Sequence, residues 1–589
     1  MITIKKLSSS TGLIDSVDFT NGINIIMGKY SNVREKGDLN GIGKSSLIRL
    51  IDFCLLSNSA KNIFSLPKYN FLRQENHTIS LEINVDQTPY YITRSFNSLD
   101  EVYFGSDMSK LYNYSVIELK NILMGLFFKI EKDIKIKGNN FRSLMHFFIK
   151  DDLEQHKRFK PLNFVGSNVP TKKVYYFNLF LLGLPNLNYE EFIEKDEILS
   201  GIRVEKRSNE EKIQEQTGMT YGQFQTEKLN IQSKINNLRD SLSNYIFLEN
   251  YKDVENELIK ITEEINKNLT VLHRLNMKLE KIQNSLEIKI EIDVERIKEI
   301  YDRINESLGE YVNKTLNDVI DFRKKIAINR ERHLSNEVSE LKNNISDIIN
   351  KISSFEQNRS KLFKILEEKG ALDSLKNSYE ELINEKVKLQ KPATYLEDIE
   401  KNEKEILELK TELNNLNKSI YDDFKEFEEV IENLRTLFIE LLTNSITVED
   451  KSGNAYFNIK IISNLKNPIK IDIEIPASEA QGKSRLLLIL YDLMVFLNII
   501  NSGRKLPSFL IHDGVFASIS RATIVRTLNY LYKKSLEHPN FQYITTFNYD
   551  DIPSETTLLK EEFIFDINKK IIKEYRDDPE HMIFKRKFE

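Results

Sequence analysis

The sequence predicts an α/β head assembled from both ends of the chain, with a long antiparallel α-helical coiled coil inserted between them. Three observations lead there. Near the start stands Asn40-Gly41-Ile42-Gly43-Lys44-Ser45-Ser46, the glycine, lysine and serine spacing of a phosphate-cradling loop. Far downstream stands Phe509-Leu510-Ile511-His512-Asp513, an apolar run ending in a carboxylate. Between them, residues 187–442 are heptad-patterned and lack strand signals. A site split by such a tract requires a hairpin chain whose ends meet. The expected units are therefore an N-terminal lobe over 1–186, an arm over 187–442 and a C-terminal lobe over 443–589.

In the N-terminal lobe, Ile2-Thr3-Ile4 opens a strand. Gly22 to Gly28 is an apolar run bounded by glycines, as a buried strand would be. Ser45 to Leu56 has helical spacing. His77 to Phe96 reads as a hairpin with a turn at Asp86-Gln87-Thr88-Pro89. In the arm, three apolar series step by four and three: Val254 to Leu286, Leu334 to Leu366 and Leu409 to Leu434. Their polar interruptions are Asn268, Arg359 and Asp423. A helical bundle uses the same pattern over shorter lengths, whereas sustained repeats with charged flanks favour a coiled coil. Gly309, Gly370 and Pro392 are expected to mark breaks or the tip. Folding back near the midpoint limits each arm to ~190 Å, at a rise of ~1.5 Å per residue. In the C-terminal lobe, Tyr456 to Ile462 and Ile469 to Ile475 alternate like strands. A Gly482-Lys483-Ser484 turn, an apolar helix, the strand ending at Asp513, a helix from Arg521 and the strand Tyr543 to Phe547 follow.

Composition narrows the function classes. The 589 residues carry a net charge of -5, so polyanion contacts must come from a local basic surface. Cys54 is the only cysteine, which excludes an internal disulfide framework and a Cys-rich metal centre and fits a reducing, cytoplasmic setting. The N-terminus lacks a signal-peptide core. The apolar run Leu486 to Ile500 contains Asp492 and is short for a bilayer, so a buried head helix is expected and no membrane partner.

The chemistry concentrates in two segments. Glycines let backbone N–H groups surround phosphates, a lysine reaches the outer phosphate oxygens, and a hydroxyl binds magnesium. Gly28, Asn40, Gly41, Gly43, Lys44, Ser45 and Ser46 fill these roles for a nucleotide such as ATP. Lys29 to Gly37 is an insertion between Gly28 and Asn40 that either covers the nucleotide, reaches a partner or is a surface excursion. Asp513 suits Mg2+ directly or through water, together with Ser45. His512 and the other histidines lack metal-ligand spacing, and no nuclease carboxylate cluster is readable.

These segments together resemble the SMC, RecN and zinc-hook ATPases, whose ABC-type heads dimerise around ATP. The resemblance covers the whole layout, and the phrases NGIGKSS, SLMHFFIKDD, FLIHDGVF, YITTFN and IFKRKFE resemble the ATPase components of Lamassu-type and three-component ABC antiphage systems. It implies a homodimer through ATP-sandwiched heads, a double-stranded DNA partner, an effector nuclease subunit and a small helical adaptor. A repair ATPase similar to RecN is the alternative. It also implies that Ser478, Gly482 and Lys483 form a signature loop acting on the other protomer's nucleotide, with Lys44 and Asp513 central to the chemistry. The chain departs from the family at Asp38, where the loop pattern wants glycine, in keeping only one glycine of the usual signature pair, and in three further places. Gly514 stands where a water-orienting glutamate is usual, which implies slow hydrolysis. Asn548 replaces the switch histidine, and no Cys-x-x-Cys exists for a zinc hook.

One tract is a candidate for DNA. Residues 129–173 hold eleven Lys and Arg, among them Lys157, Arg158, Lys172 and Lys173, and lie just before the arm. Phosphate contacts from such a tract would be sequence-independent and salt-sensitive, whereas a solvated face would make none.

Overall fold

The computed structural model describes residues 1–31, 39–129, 134–151, 161–166, 168–244, 252–287, 316–367, 373–446, 455–462, 466–476, 481–552 and 562–586. By contacts the chain forms two units, Met1–Ser200 with Glu408–Glu589, and Gly201–Leu407. The first therefore contains both lobes and the roots of the arm.

A five-stranded sheet proves that the lobes are one head. Its order is Ile571–Arg576, Gly22–Lys29, Gln542–Asn548, Phe509–His512 and Ile149–Lys150, with every neighbour parallel. The N-terminal strand Gly22–Lys29 thus sits between two C-terminal strands. It can do so because Ile23, Ile25 and Ile26 are fully buried, as a parallel sheet covered on both faces requires. Its register matches Gly22 with Gln542 and Gly28 with Asn548. A six-stranded antiparallel sheet, built entirely from residues before Val116, forms the other layer. Within it the expected hairpin is tighter than the sequence suggests. Thr88 and Pro89 belong to the strand Thr88–Ser95, and the turn is Asp86-Gln87 alone, both at positive φ. Two successive left-handed residues match the twist of the flanking strands.

The apolar helix spans Gln481–Asn501. Gly482, Lys483 and Ser484 lie in its first turn, not in a preceding turn as expected. It is long and apolar enough to cross a membrane, yet 83% of its most apolar window is buried inside the head. Leu490, Leu493, Met494 and Leu497 are fully enclosed. It is the central core helix.

The roots of the arm are the Leu187–Thr217 and Asp373–Glu426 helices. In the head unit, Asn188 donates to Asp423 at 2.7 Å and Lys195 pairs with Glu412 at 2.7 Å. One number rises as the other falls, so the helices run antiparallel. In the second unit Lys206 continues the register to Glu403. Further out, Lys278 pairs with Glu337 and Arg330 bonds Ser285, so Lys252–Glu287 and Leu316–Glu367 are antiparallel too. Gly309 and Gly370 lie outside the described residues.

Pro392 does not break its helix, which runs unbroken from Asp373 to Glu426. The break falls in the other strand of the arm, where Gly218 adopts φ +70° and a new helix starts at Tyr221. Thr220 and Gln223 cap it reciprocally. Ile213, Phe224, Leu396 and Ile399 close over this corner as a buried cluster. That packing offsets the lost hydrogen bond of an interior proline, ~3 kcal/mol in an unsupported helix. Each of the three polar interruptions of the heptads has a polar partner. Asn268 bonds the Glu264 carbonyl, buried Arg359 pairs with Glu356 at 2.6 Å, and Asp423 accepts from Asn188.

Candidate functional site

The C-terminal ends of the parallel strands open into a cavity of about 330 Å³. Its walls come from both ends of the chain: Asn40, Gly41, Gly43 to Ser46 and Arg49 on one side, and Asp513, Gly514, Phe516, Ala517, Thr546 to Asn548 and Asp551 on the other. This is the usual place for a ligand in an open α/β sheet.

The loop residues are held by geometry that only glycine allows. Gly41 and Gly43 adopt φ +79° and +119°. A Cβ on Gly43 would lie 2.3 Å from the Ile583 side chain, so the C-terminal tail seals the back of the loop. Gly43 caps the Lys44–Cys54 helix, whose first residues Lys44, Ser45 and Ser46 line the cavity. The partial positive end of that helix favours an anion. A Cβ on Gly28 would lie 3.0 Å from Lys44 Nζ and 3.2 Å from Asn548 Oδ1. The missing side chain therefore lets the lysine and the asparagine approach each other. Lys44 Nζ donates to the Leu39 carbonyl at 2.8 Å, which parks it over the loop.

Asp513 is 1% exposed. Its Oδ1 accepts from the Thr546 hydroxyl at 2.6 Å, and the Ser45 hydroxyl also bonds it. The Gly514 N–H donates to the same Thr546 hydroxyl at 2.9 Å. Burial pushes the Asp513 carboxyl up to about 6, and the nearby Asp151 charge adds to the rise. Asp151 itself accepts a two-pronged bond from Arg49 at 2.9 and 3.2 Å. Asp513 is therefore a buried carboxylate short of positive charge, the condition in which a dication is welcome.

The donor set fits a nucleotide phosphate with its ion. The lysine, the helix N-terminus and the serine and threonine hydroxyls suit phosphate oxygens. Ser45 and Asp513 supply two hard oxygens for Mg2+, which normally completes its shell with phosphates and water. Among the described residues no group of three or more His, Cys, Asp or Glu is gathered around a common point. Phe516 and Phe547 pack 5.3 Å apart and give the cavity an apolar flank.

Of the residues singled out from sequence, Asn40, Gly41, Gly43, Lys44, Ser45, Ser46, Asp513 and Asn548 line this one cavity, and Gly28 lies against two of them. Gly482 and Lys483 do not line it. Gly482 instead packs on the loop behind Asp513, where a Cβ would lie 2.7 Å from the Ser518 carbonyl, and Arg485 donates to the Ala517 carbonyl at 2.8 Å. Ser478 and the Asn32–Gly37 part of the inserted loop lie outside the described residues. The sequence reading missed Arg49, Asp151 and Thr546. Asp151 sits in the quoted phrase SLMHFFIKDD and Thr546 in YITTFN, but neither carries a spacing signal of its own.

Part of the basic tract is paired with carboxylates of the head. Lys129 pairs with Asp86, Lys137 with Glu190 and Glu194, Arg142 with Asp52, Lys150 with Asp492, and Lys172 with Asp196. Lys172 also lies over the Phe192 ring. Those charges serve the head's own packing. Lys173 is exposed, while Lys157 and Arg158 lie outside the described residues.

The chain has relatives. A family model described as "Uncharacterised protein conserved in bacteria (DUF2326)" matches residues 436–588. The chain is 25% identical over 556 residues to "Uncharacterized protein YydD" of Bacillus subtilis (strain 168), covering 90% of each. Among solved structures it is similar to the Smc head domain with a coiled coil and joint from Pyrococcus yayanosii, at 14% identity and a TM-score of 0.37, over 93% of this chain and 92% of that one. It is also similar to the Smc head domain with an extended coiled coil bound to the C-terminal domain of ScpA from Pyrococcus furiosus. There the identity is 12% and the TM-score 0.34, over 94% of this chain and 91% of that one.

Proposed function

We propose that this chain is an SMC-like ATPase head and arm that binds ATP with Mg2+ and uses it to join two copies. The observation that carries this reading is the convergence of Lys44, Ser45 and Asp513, from opposite ends of the chain, on one cavity. Lys44 would leave the Leu39 carbonyl for the outer phosphates. The N–H groups of the Lys44–Cys54 helix would hold the phosphate oxygens. Ser45 and Asp513 would hold Mg2+, which supplies neutralising charge between the phosphates. Asn548, opposite Lys44, would reach the outermost phosphate.

Hydrolysis would be slow. Gly514 offers no carboxylate to orient water, and its φ of +64° disfavours any side chain there. Nucleotide occupancy, more than turnover, then sets the state of the head. Gly482 and Lys483 sit outside their own cavity, which suits a signature loop, with Ser478, that completes the site of a second copy. The wider role we propose is an ATP-gated sensor or scaffold on double-stranded DNA in an antiphage complex, with an effector nuclease and a small helical adaptor as partners.

The test is mass photometry of the full chain with and without ATP–Mg2+. Wild type should shift from one copy to two with nucleotide, and Lys44→Ala should not. A nucleotide-independent mass, with ATP demonstrably bound, would refute the joining step.

A further inference from the structure

The register that gathers the cavity also gathers a second set of charges on the opposite side of the sheet. Ile149–Lys150 and Phe509–His512 are parallel neighbours with His512 beside Lys150, and the Asp513 N–H donates to the Lys150 carbonyl at 2.9 Å. Side chains alternate faces along a strand. Asp151 and Asp513 accordingly meet Arg49, Ser45 and Thr546 on the cavity side. Lys150 and His512 point the other way and meet one residue, Asp492 of the core helix. Lys150 Nζ lies 3.5 Å from Asp492 Oδ1, and His512 Nε2 lies 3.3 Å from Asp492 Oδ2. His512 Nδ1 shares a hydrogen bond of 2.9 Å with the Tyr543 hydroxyl. Asp492 and His512 are 0% exposed and Lys150 is 4%.

Stability alone does not account for this cluster. Replacing a buried ion pair by well-packed apolar residues is often neutral or stabilising. The rest of the helix from Leu486 to Ile500 is almost wholly apolar. What Asp492 does supply is registry, because it makes ion contacts to two adjacent strand ends, one just before Asp513 of the cavity and the other just before Asp151, which holds the cavity residue Arg49. We infer that Asp492 is a positioning residue for the ion: through Lys150 and His512 it fixes where Asp151 and Asp513 stand relative to Ser45. The same helix carries Gly482 in its first turn, so this link ties the ion to the segment expected to meet a second copy. The inference rests on the ATP–Mg2+ reading of the cavity.

The experiment titrates Mg2+ into the full chain with a fluorescent ATP analogue and also measures metal-free analogue binding and thermal unfolding. Two variants are compared with wild type: Asp492→Asn, and Asp492→Leu combined with Lys150→Met, which removes both charges and keeps the packing. The double variant should unfold close to wild type and bind the metal-free analogue normally. It should need roughly 10-fold more Mg2+ for half-saturation, the loss typical when support behind a metal ligand is removed. A double variant with the wild-type Mg2+ requirement would overturn the inference and leave the cluster a packing feature, whatever happens to Asp492→Asn. A wild-type chain that binds no nucleotide at any Mg2+ concentration overturns the cavity reading itself, a failure visible before any variant is made.

Discussion

Asp513→Asn should make the nucleotide-free head more stable and at the same time remove its response to ATP–Mg2+. The carboxyl is fully buried and its pKa rises from 3.8 to about 6. A folded-state value above the unfolded one means that the folded chain holds the proton more tightly. The cost of ionising Asp513 is therefore absent below pH 3.8, grows between 3.8 and about 6, and is constant above. A shift of about two units is worth ~3 kcal/mol at pH 7.5. Asparagine keeps the acceptor for the Thr546 hydroxyl but brings an N–H pair that needs acceptors, which returns ~1–2 kcal/mol. The net expectation is ~1–2 kcal/mol of added stability at pH 7.5, reversing to a loss of ~1 kcal/mol near pH 4, where the ionisation cost is nearly gone and the amide cost remains. Thermal unfolding followed by circular dichroism at both pH values reads this, on the order of 2 °C per kcal/mol for a large unit. ATP–Mg2+ at 100 times its dissociation constant should raise wild type by ~2.7 kcal/mol and leave the variant unmoved. If nucleotide-free Asp513→Asn is less stable than wild type by the same amount at both pH values, the buried-charge argument is wrong.

Five further outcomes are open to measurement. Lys44→Ala should weaken ATP binding by ~2–4 kcal/mol in calorimetry, the scale of a lost charge-assisted contact with its partner left unpaired. Gly43→Ala should lower the unfolding temperature as well as ATP affinity, because its Cβ would collide with Ile583 at 2.3 Å; a variant that melts like wild type would mean the tail is free to move. Gly514→Glu should not restore fast hydrolysis and should cost ~1–2 kcal/mol in stability, since an L side chain is strained at φ +64°; steady-state phosphate release measures it. In duplex binding, Lys157, Arg158 and Lys173 changed together to Glu should reduce both affinity and salt slope. Lys172→Glu should instead destabilise the head by breaking the Asp196 pair, and wild-type melting of that variant would contradict the assignment.

The long-range layout was legible in the sequence because its signals are local patterns with fixed meaning. A glycine-rich loop before a helix, a strand ending in aspartate and a heptad repeat each announce themselves without knowledge of the fold. Their meeting in space was legible only because two halves of one site had to be reunited. What escaped was set by packing. Arg49 looks like any helix arginine until Asp151, 102 residues away, is placed beside it. Pro392 reads as a breaker, yet the buried Ile213–Phe224–Ile399 corner carries the helix through it. Composition counts charges without their partners, so it could not show that Asp52, Asp86 and Asp196 each claim one cation of the basic tract.

The place of Gly22–Lys29 between Gln542–Asn548 and Ile571–Arg576 has a consequence for how the chain is born. The antiparallel sheet uses only early residues and can close while the ribosome is still near the start of the message. The Gly22–Lys29 strand has no partner until residue 542 has emerged, so at ~5–20 residues per second it waits roughly 25–100 s. Over that interval an apolar strand with two open edges is exposed to other nascent chains. The loop behind it gains its backbone bond from the Ile583 N–H to the Ile42 carbonyl only once the last residues arrive. On the proposed reading nucleotide would be captured only by a finished polypeptide, and a message cut short near its end should yield an aggregating product in place of a partly active one.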